Sequence, residues 1–304
     1  MKIKSTFSAP LLCAVVYMLL LLSGFADALL LMSGDSIYLS VIVIQLLVII
    51  IPTIFYVRLK GDSFLPRLRI RLFSADKLII ILLSVAIMVL GSLLLNTLFS
   101  AMGFSAGRFS LYETYVPPGS VDFSNALYVI VTFALLPALA EEFLFRSVIL
   151  AEYEKTGVLS AIFMSAFMFS MLHFNLASFP IYFFCGVILA FVTYAARSVL
   201  AAVVVHFLYN LFGLFGQAYV NNVIAQLQHF ELFVIILVLA FLLVLFLIFS
   251  EAERIYHNYA VSNKSSDYVT TKGRKSKIAL FLEAFLSPAF LMCLLLYLII
   301  IAGL

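Results

Sequence analysis

Nine apolar stretches follow one another along this chain of 304 residues, and each is about as long as a membrane-spanning helix. A helix needs roughly 20 mainly apolar residues to cross the hydrocarbon core of a bilayer. Hydrophobic residues make up 65% of the chain and charged residues 11%, against about half and a quarter in soluble domains. The sequence therefore predicts an all-α, polytopic transmembrane helix bundle, with spans at about 9–31, 37–56, 78–103, 125–150, 158–177, 180–196, 199–220, 232–250 and 279–303.

Lysine and arginine residues are distributed unevenly between the two sides of this bundle. With the N-terminus inside, sixteen of the 18 fall in inner segments, Arg108 alone lies outside, and Arg146 lies within a span. Because inner loops carry an excess of basic residues, we expect a multi-pass protein of the cell membrane with a cytoplasmic N-terminus. The net charge of +3 then reports membrane topology, and no nucleic-acid partner is needed to explain it.

The first apolar stretch shares some features with a signal peptide. Lys2 and Lys4 precede it, and residues 26–28 offer small residues of the kind found at a cleavage site. The apolar run continues to Met32 and many further spans follow, which favours an uncleaved first helix. The composition and the unadorned loops favour a prokaryotic source.

Three ionisable side chains lie inside the fourth span, in ALAEEFLFRSVIL at residues 138–150. A charge at the centre of a span costs ~2.5–3.5 kcal/mol on the insertion scale, so these groups must face protein or water. Glu142 and Arg146 are four residues apart and are predicted to pair. Glu141 is turned ~100° away and has no local partner. Pro137, four residues before it, removes a backbone donor and predicts a kink beside the site.

Two further spans carry a histidine. His173 lies in span 5 with Phe169 four residues earlier, and His206 lies in span 7 with Asn210 four residues later. A single buried histidine is usually a satisfied core residue, and Glu142 with Arg146 alone could be a structural ion pair. Polar groups in three spans together indicate a site. At 1.5 Å per residue, His173 is expected ~23 Å from the inner side, farther out than Glu141 or His206.

Other polar residues in the spans stand alone, and for them we predict contacts between helices. They are Asp27, Asn96 and Glu283.

A carboxylate, two imidazoles and a carboxamide in a dry pocket suit hydrolysis. A glutamate can take a proton from an attacking water, and a histidine beside it can orient that water. A second histidine and an asparagine can donate hydrogen bonds to the oxyanion of the tetrahedral intermediate. No serine or cysteine forms a convincing nucleophile arrangement with either histidine. The pattern therefore favours direct attack by water.

The motifs EExxxR at 141–146, FxxxH at 169–173 and HxxxN at 206–210 resemble the CPBP family of intramembrane proteases. That family includes the CAAX prenyl endopeptidases and bacteriocin-processing or self-immunity proteins. The resemblance implies Glu141 as general base, His173 as its partner in activating water, and His206 with Asn210 as the oxyanion site. Glu142, Arg146 and Phe169 would support the site.

The resemblance leaves the metal question open, because the family has been described both as metalloproteases and as metal-independent glutamate proteases. Glu141, His173 and His206 could form a zinc site with three protein ligands. They lack the HExxH arrangement of common zinc peptidases. The three cysteines all fall in apolar spans without metal-site spacing. We expect no cofactor, with zinc as the alternative.

The similarity covers about residues 125–215 and suggests three regions. Residues 1–124 hold helices 1–3, residues 125–220 the CPBP-like catalytic core of spans 4–7, and residues 221–304 the last helices with a basic inner loop. The leading hypothesis is an endopeptidase that cleaves a membrane-associated peptide or protein. Membrane lipids would surround the endopeptidase. The alternatives are a non-catalytic bacteriocin self-immunity protein and a proton-coupled transporter, which predicts inverted repeats. The sequence indicates no oligomeric state.

Overall fold

The computed structural model describes residues 5–32, 37–103, 123–262 and 276–303, and the regular structure in these ranges is helical throughout. We number its main helices in chain order. They are α1 (Ser5–Met32), α2 (Val41–Lys60), α3 (Ala75–Ala101), α4 (Ala126–Thr156), α5 (Val158–Leu172), α6 (Phe179–Ala196), α7 (Val199–Gly216), α8 (Gln217–Gln226), α9 (Phe230–Val261), α10 (Lys277–Phe285) and α11 (Pro288–Ile301).

Six of the described helices, α2, α3, α4, α6, α7 and α9, are long and apolar enough to cross a membrane. Helices α10 and α11, bent by 51°, would form a seventh span together. Shorter apolar helices cover Phe7–Ser23 within α1 and Val158–Leu172. Each predicted span thus coincides with an apolar helical segment. This confirms an all-α, multi-pass membrane protein, and the predicted number of nine spans is approximate because two segments are short.

The helices that carry the three motifs pack around a common interior. Helix α5 lies against α6, α4 against α7, and α3 against α6, α7 and α9. The contact between α5 and α6 depends on Gly186, where an added Cβ would come within 2.9 Å of the Cα of Ala166. The first and last described helices, α1 and α11, pack against each other. The phenol of Tyr17 in α1 donates a 2.6 Å hydrogen bond to the carbonyl of Met168 in α5.

The loop between α2 and α3 binds both the end of α4 and the start of α7. Arg69 forms a buried ion pair with Glu154 at the end of α4, and its carbonyl accepts a 3.1 Å bond from the amide of Val199 at the start of α7. The guanidinium of Arg71 donates to the carbonyl of Arg197 at 2.6 Å. These bonds tie α4 and α7 together at one end, which helps to hold the residues farther along both helices in register.

Four π-helical turns interrupt the helices around this interior, at Gln45–Ile50, Val131–Leu135, Phe143–Ile149 and Phe212–Gly216. Two of them flank the short α-helical segment Leu136–Glu142, which carries both glutamates. Pro137 lies in the first turn of that segment, directly after a π-helical turn. Each π-helical turn adds a residue and changes which side chains share a face, and such turns often occur at functional sites.

Candidate active site

A cavity of about 390 Å³ lies between the helices that carry the motifs and helices α2 and α3. Its walls include Glu141, Phe169, His173, His206 and Asn210. Glu141 and His206 are 7% and 5% exposed, so this site lies in the interior of the bundle. The structure therefore brings residues from all three motifs to one cavity of the size of a ligand pocket.

Glu142 and Arg146 lie behind the cavity wall, and both are fully buried. The guanidinium Nη1 of Arg146 lies 3.0 Å from Glu142 Oε1, so the predicted ion pair is present. The same carboxylate oxygen lies 2.9 Å from Nδ1 of His206, a bond that the sequence spacing did not indicate. A second nitrogen of Arg146 donates to the carbonyl of Gly186 at 3.2 Å. This network connects α4 to both α6 and α7.

Glu141 has different surroundings, although it is the next residue in the chain. It lines the cavity, and its Oε2 is buried without a hydrogen-bond partner among the described protein groups. Glu142 Oε2 and Arg146 Nε are also buried without a partner among the described groups, so the position at the cavity is what distinguishes Glu141. The sequence expectation that Arg146 pairs with Glu142 and leaves Glu141 without a local partner agrees with this geometry.

His173 directly follows the last residue of α5 and lies at the same cavity as Glu141. The sequence placed it too far out because the predicted end of span 4 was wrong. Helix α4 continues to Thr156, so Glu141 is fifteen residues from that end, and His173 is fifteen residues beyond Val158. The two side chains therefore lie at similar depth.

The ring of His173 is held on two sides. Its Nδ1 lies 3.0 Å from the carbonyl of Phe169 and donates to it, because a carbonyl can only accept. In the neutral ring, Nε2 then carries the lone pair. The ring of Tyr182 stacks on the imidazole, with centroids 3.7 Å apart and planes 17° apart. Tyr182 also lines the cavity and is a contact that the sequence analysis missed.

Phe169 connects the other members of the site. Its ring lies edge-on to His173 at 4.9 Å and to His206 at 5.8 Å. The guanidinium of Arg146 lies over the same ring, 4.4 Å from its centroid, a cation–π distance. The FxxxH motif thus places an aromatic ring between both imidazoles and the buried cation.

Asn210 lies one turn beyond His206 on α7. Its amide nitrogen donates a 3.3 Å bond to the carbonyl of Ala134, in the π-helical turn before Pro137. This bond uses one amide hydrogen, so a second N–H and the side-chain oxygen remain for the cavity.

Helices α2 and α3 contribute polar residues to the cavity that the sequence analysis did not assign to a site. Gln45 and Ser92 line it, and the hydroxyl of Tyr209 donates to Ser92 at 2.8 Å. Asn96 lines it too, although we predicted a helix–helix contact for this residue. The backbone at Asp27 is helical but its side chain lies outside the described part. In the sequence, the only signal that Gln45 and Asn96 line the cavity is their depth within their spans.

A metal ion would need several donor side chains placed around one point. Among the described residues, no group of three or more His, Cys, Asp or Glu side chains is placed to hold a metal ion. Glu141, His173 and His206 share the cavity without forming such a cluster. The three cysteines are buried and free.

Together these features define a multi-pass membrane protein with a buried site of carboxylate, imidazole and carboxamide groups. Residues 123–212 match the family model described as Rce1-like, type II CAAX prenyl endopeptidase. The matched segment contains all three motifs, which confirms the resemblance to the CPBP family there and supports a membrane-embedded endopeptidase. The comparisons with curated proteins and with solved structures returned no match.

Proposed function

We propose that this protein is an intramembrane endopeptidase that hydrolyses a peptide bond of a membrane-associated peptide or protein. The observation that carries the proposal is the convergence of Glu141, His173, His206 and Asn210 on one cavity. Hydrolysis by water needs a base, a group that orients the water and donors for the oxyanion. These four residues supply each of these groups.

Glu141 and His173 are the proposed water-activating pair. The unpartnered oxygen of Glu141 accepts one hydrogen of a water, and Nε2 of His173 accepts the other. In this arrangement a lone pair of the water oxygen is free to attack the substrate carbonyl, and Glu141 takes the proton. The bond from His173 to the Phe169 carbonyl and the stacked Tyr182 hold the imidazole in the required tautomer and orientation.

His206 and Asn210 are the proposed oxyanion donors. Because Nδ1 of His206 is directed at the Glu142 carboxylate, Nε2 donates a hydrogen bond only when the ring is protonated on both nitrogens. In the proposed oxyanion-binding state the ring carries a hydrogen on both nitrogens, with Nδ1 bonded to the Glu142 carboxylate, which also binds Arg146. The second amide hydrogen of Asn210 is the other donor. Both donors are held before substrate arrives, which is what makes oxyanion stabilisation effective.

A zinc-dependent reaction is the second candidate mechanism. The bonds of His173 and His206 through Nδ1 are also those that a metal-binding histidine makes to its surroundings. The described donors do not form a three-ligand group. The proposed steps therefore use only groups of the chain, with no cofactor.

The proposed substrate class is broader than the one that the family description names. That description names CAAX prenyl endopeptidases, and a prenylated peptide is one member of the class that we propose. Nothing in the match favours a proton-coupled transporter or a non-catalytic immunity protein. We further propose that the protein lies in a prokaryotic cell membrane with its N-terminus in the cytoplasm, surrounded by lipids and without a nucleic-acid partner.

The test replaces Glu141 by glutamine, which keeps the shape of the side chain and removes the base. Membrane fractions from cells that produce either Glu141→Gln or the unaltered protein are compared by peptide mass spectrometry. We expect specific membrane-associated proteins to accumulate uncleaved with Glu141→Gln. The control is Glu253→Gln, an exposed glutamate on α9. Identical peptide profiles for all three proteins would sink the protease assignment.

A further inference from the structure

The cavity extends beyond the proposed catalytic residues along a row of carboxamide side chains. Gln45 in α2, Asn96 in α3, and Gln217 and Asn221 in α8 all line it. Asn210 on α7 lines the same cavity. Four helices contribute these residues, so their convergence comes from the tertiary fold.

The row extends toward the end of the bundle that is opposite the basic loops. Gln45 is near the start of α2, whose other end carries Lys60, and Asn96 is near the end of α3, which begins beside Lys77. Helix α8 follows α7 directly, so Gln217 and Asn221 lie beyond Asn210 on the same side. From His206 to Asn221 the helical rise is roughly 22 Å, about the length of six or seven extended residues.

The hydrogen-bonding atoms of the row point to a ligand rather than to helix packing. Gln45 Oε1 and Asn96 Oδ1 are buried acceptors without a hydrogen-bond partner among the described groups. Carboxamides that hold membrane helices together are bonded across the helix interface. Gln217 donates to Asn221 at 3.0 Å, which leaves an acceptor on the first and donors on the second. The row therefore offers both donors and acceptors, and none of its four side chains carries a formal charge.

A peptide backbone has the matching chemistry. Each peptide unit presents one N–H donor and one C=O acceptor, and within a membrane both groups need partners. A segment that leaves its helix to expose a peptide bond for hydrolysis loses its own backbone hydrogen bonds. We propose that the row formed by Gln45, Asn96, Gln217 and Asn221 binds the substrate backbone in extended form, on one side of the scissile bond. This inference rests on the proposed endopeptidase function.

The test uses an internally quenched peptide with a farnesylated C-terminal CAAX sequence, cleaved by the purified full-length protein in liposomes. Asn96→Leu and Gln45→Leu remove the carboxamide and put a branched apolar side chain in its place. We expect each to raise KM about 10-fold, the loss expected for one or two hydrogen bonds, with kcat within twofold. The control is Asn222→Leu, an exposed carboxamide on α8, which should leave both constants unchanged.

A second measurement changes the substrate instead of the protein. Peptides that are N-methylated at one backbone position each lack one donor. In the unaltered protein, methylation at the positions that contact the row should raise KM about 10-fold, and this penalty should disappear in Asn96→Leu or Gln45→Leu. Because the first half of this experiment uses the unaltered protein, it remains decisive even where a variant folds poorly.

The outcomes separate the inference from the proposed function. Suppose that the unaltered protein cleaves the peptide but KM is unchanged in both leucine variants, or that methylation is tolerated equally at every position. Either result would overturn the carboxamide row and leave the endopeptidase intact. Cleavage that persists undiminished in Glu141→Gln would overturn the endopeptidase mechanism and the row together. Failure of the unaltered protein to cleave the peptide would count against both.

Discussion

Replacement of Arg146 by methionine tests whether this residue is a structural counter-ion or part of the reacting group. The guanidinium is fully buried, binds Glu142 at 3.0 Å and the Gly186 carbonyl at 3.2 Å, and lies over the ring of Phe169. Methionine fills a similar volume but removes the charge and the donors. Glu142 would then be a buried carboxylate that keeps only its bond to His206.

The expected loss of stability follows from these contacts. Removal of one partner of a buried ion pair costs ~3–5 kcal/mol, and the remaining bond to His206 places Arg146→Met near the lower end. For a chain of this size, ~3 kcal/mol corresponds to a fall of roughly 5 °C in unfolding temperature. Combining the change with Glu142→Gln removes the unpaired charge, so the double variant should be more stable than Arg146→Met alone.

The three buried, free cysteines of the chain provide the assay, because a thiol-reactive dye labels them only as the protein unfolds. Each variant is heated in the same detergent, and hydrolysis is measured on the same samples. The control is Arg58→Met, which replaces an exposed arginine on α2. Exposed charges contribute little, so this variant should unfold near the normal temperature. A fully stable but inactive Arg146→Met would refute the counter-ion interpretation.

Three further predictions follow from the same site. Asn210→Ala should lower kcat by ~100-fold or more through the loss of one oxyanion donor; a change in KM alone, measured on the quenched peptide, would contradict the assigned role. Gly186→Ala should lower the unfolding temperature, because the new Cβ would come within 2.9 Å of the Ala166 backbone and push α6 away from α5; normal thermal labelling by the thiol dye would show that the contact is not tight. Activity should survive exhaustive chelation, and its loss with recovery on added zinc would establish the zinc scheme with Glu141, His173 and His206 as ligands.

The pair of Glu142 and Arg146 shows what sequence spacing can predict within one helix. Residues four apart share a helical face, and the observed bond follows from that geometry alone. The same argument separated Glu141 from its neighbour, and the structure places Glu141 at the cavity wall and Glu142 behind it. The catalytic roles of these residues remain predictions.

His173 shows where the argument from depth failed. Its predicted depth depended on the ends of two spans, and α4 continues to Thr156 beyond its predicted end. The π-helical turns on both sides of the glutamates change the rise and the facing of side chains, and no residue pattern at Val131–Leu135 or Phe143–Ile149 indicated them. The predicted difference in depth between Glu141 and His173, counted along ideal helices, was therefore wrong by more than a helical turn.

The sequence by itself determined the helical, membrane-spanning architecture and the chemical groups of the site. The bilayer imposes both. A span needs enough apolar residues and a backbone that is hydrogen-bonded internally, and polar groups within the span must pair with each other or bind a ligand. Tertiary structure alone decided that His206 binds Glu142, that Tyr182 stacks on His173, and that Gln45 and Asn96 line the cavity. These contacts join residues of different helical segments. They depend on the rotation and tilt of one helix against another, which packing sets and which the period of a single helix does not contain.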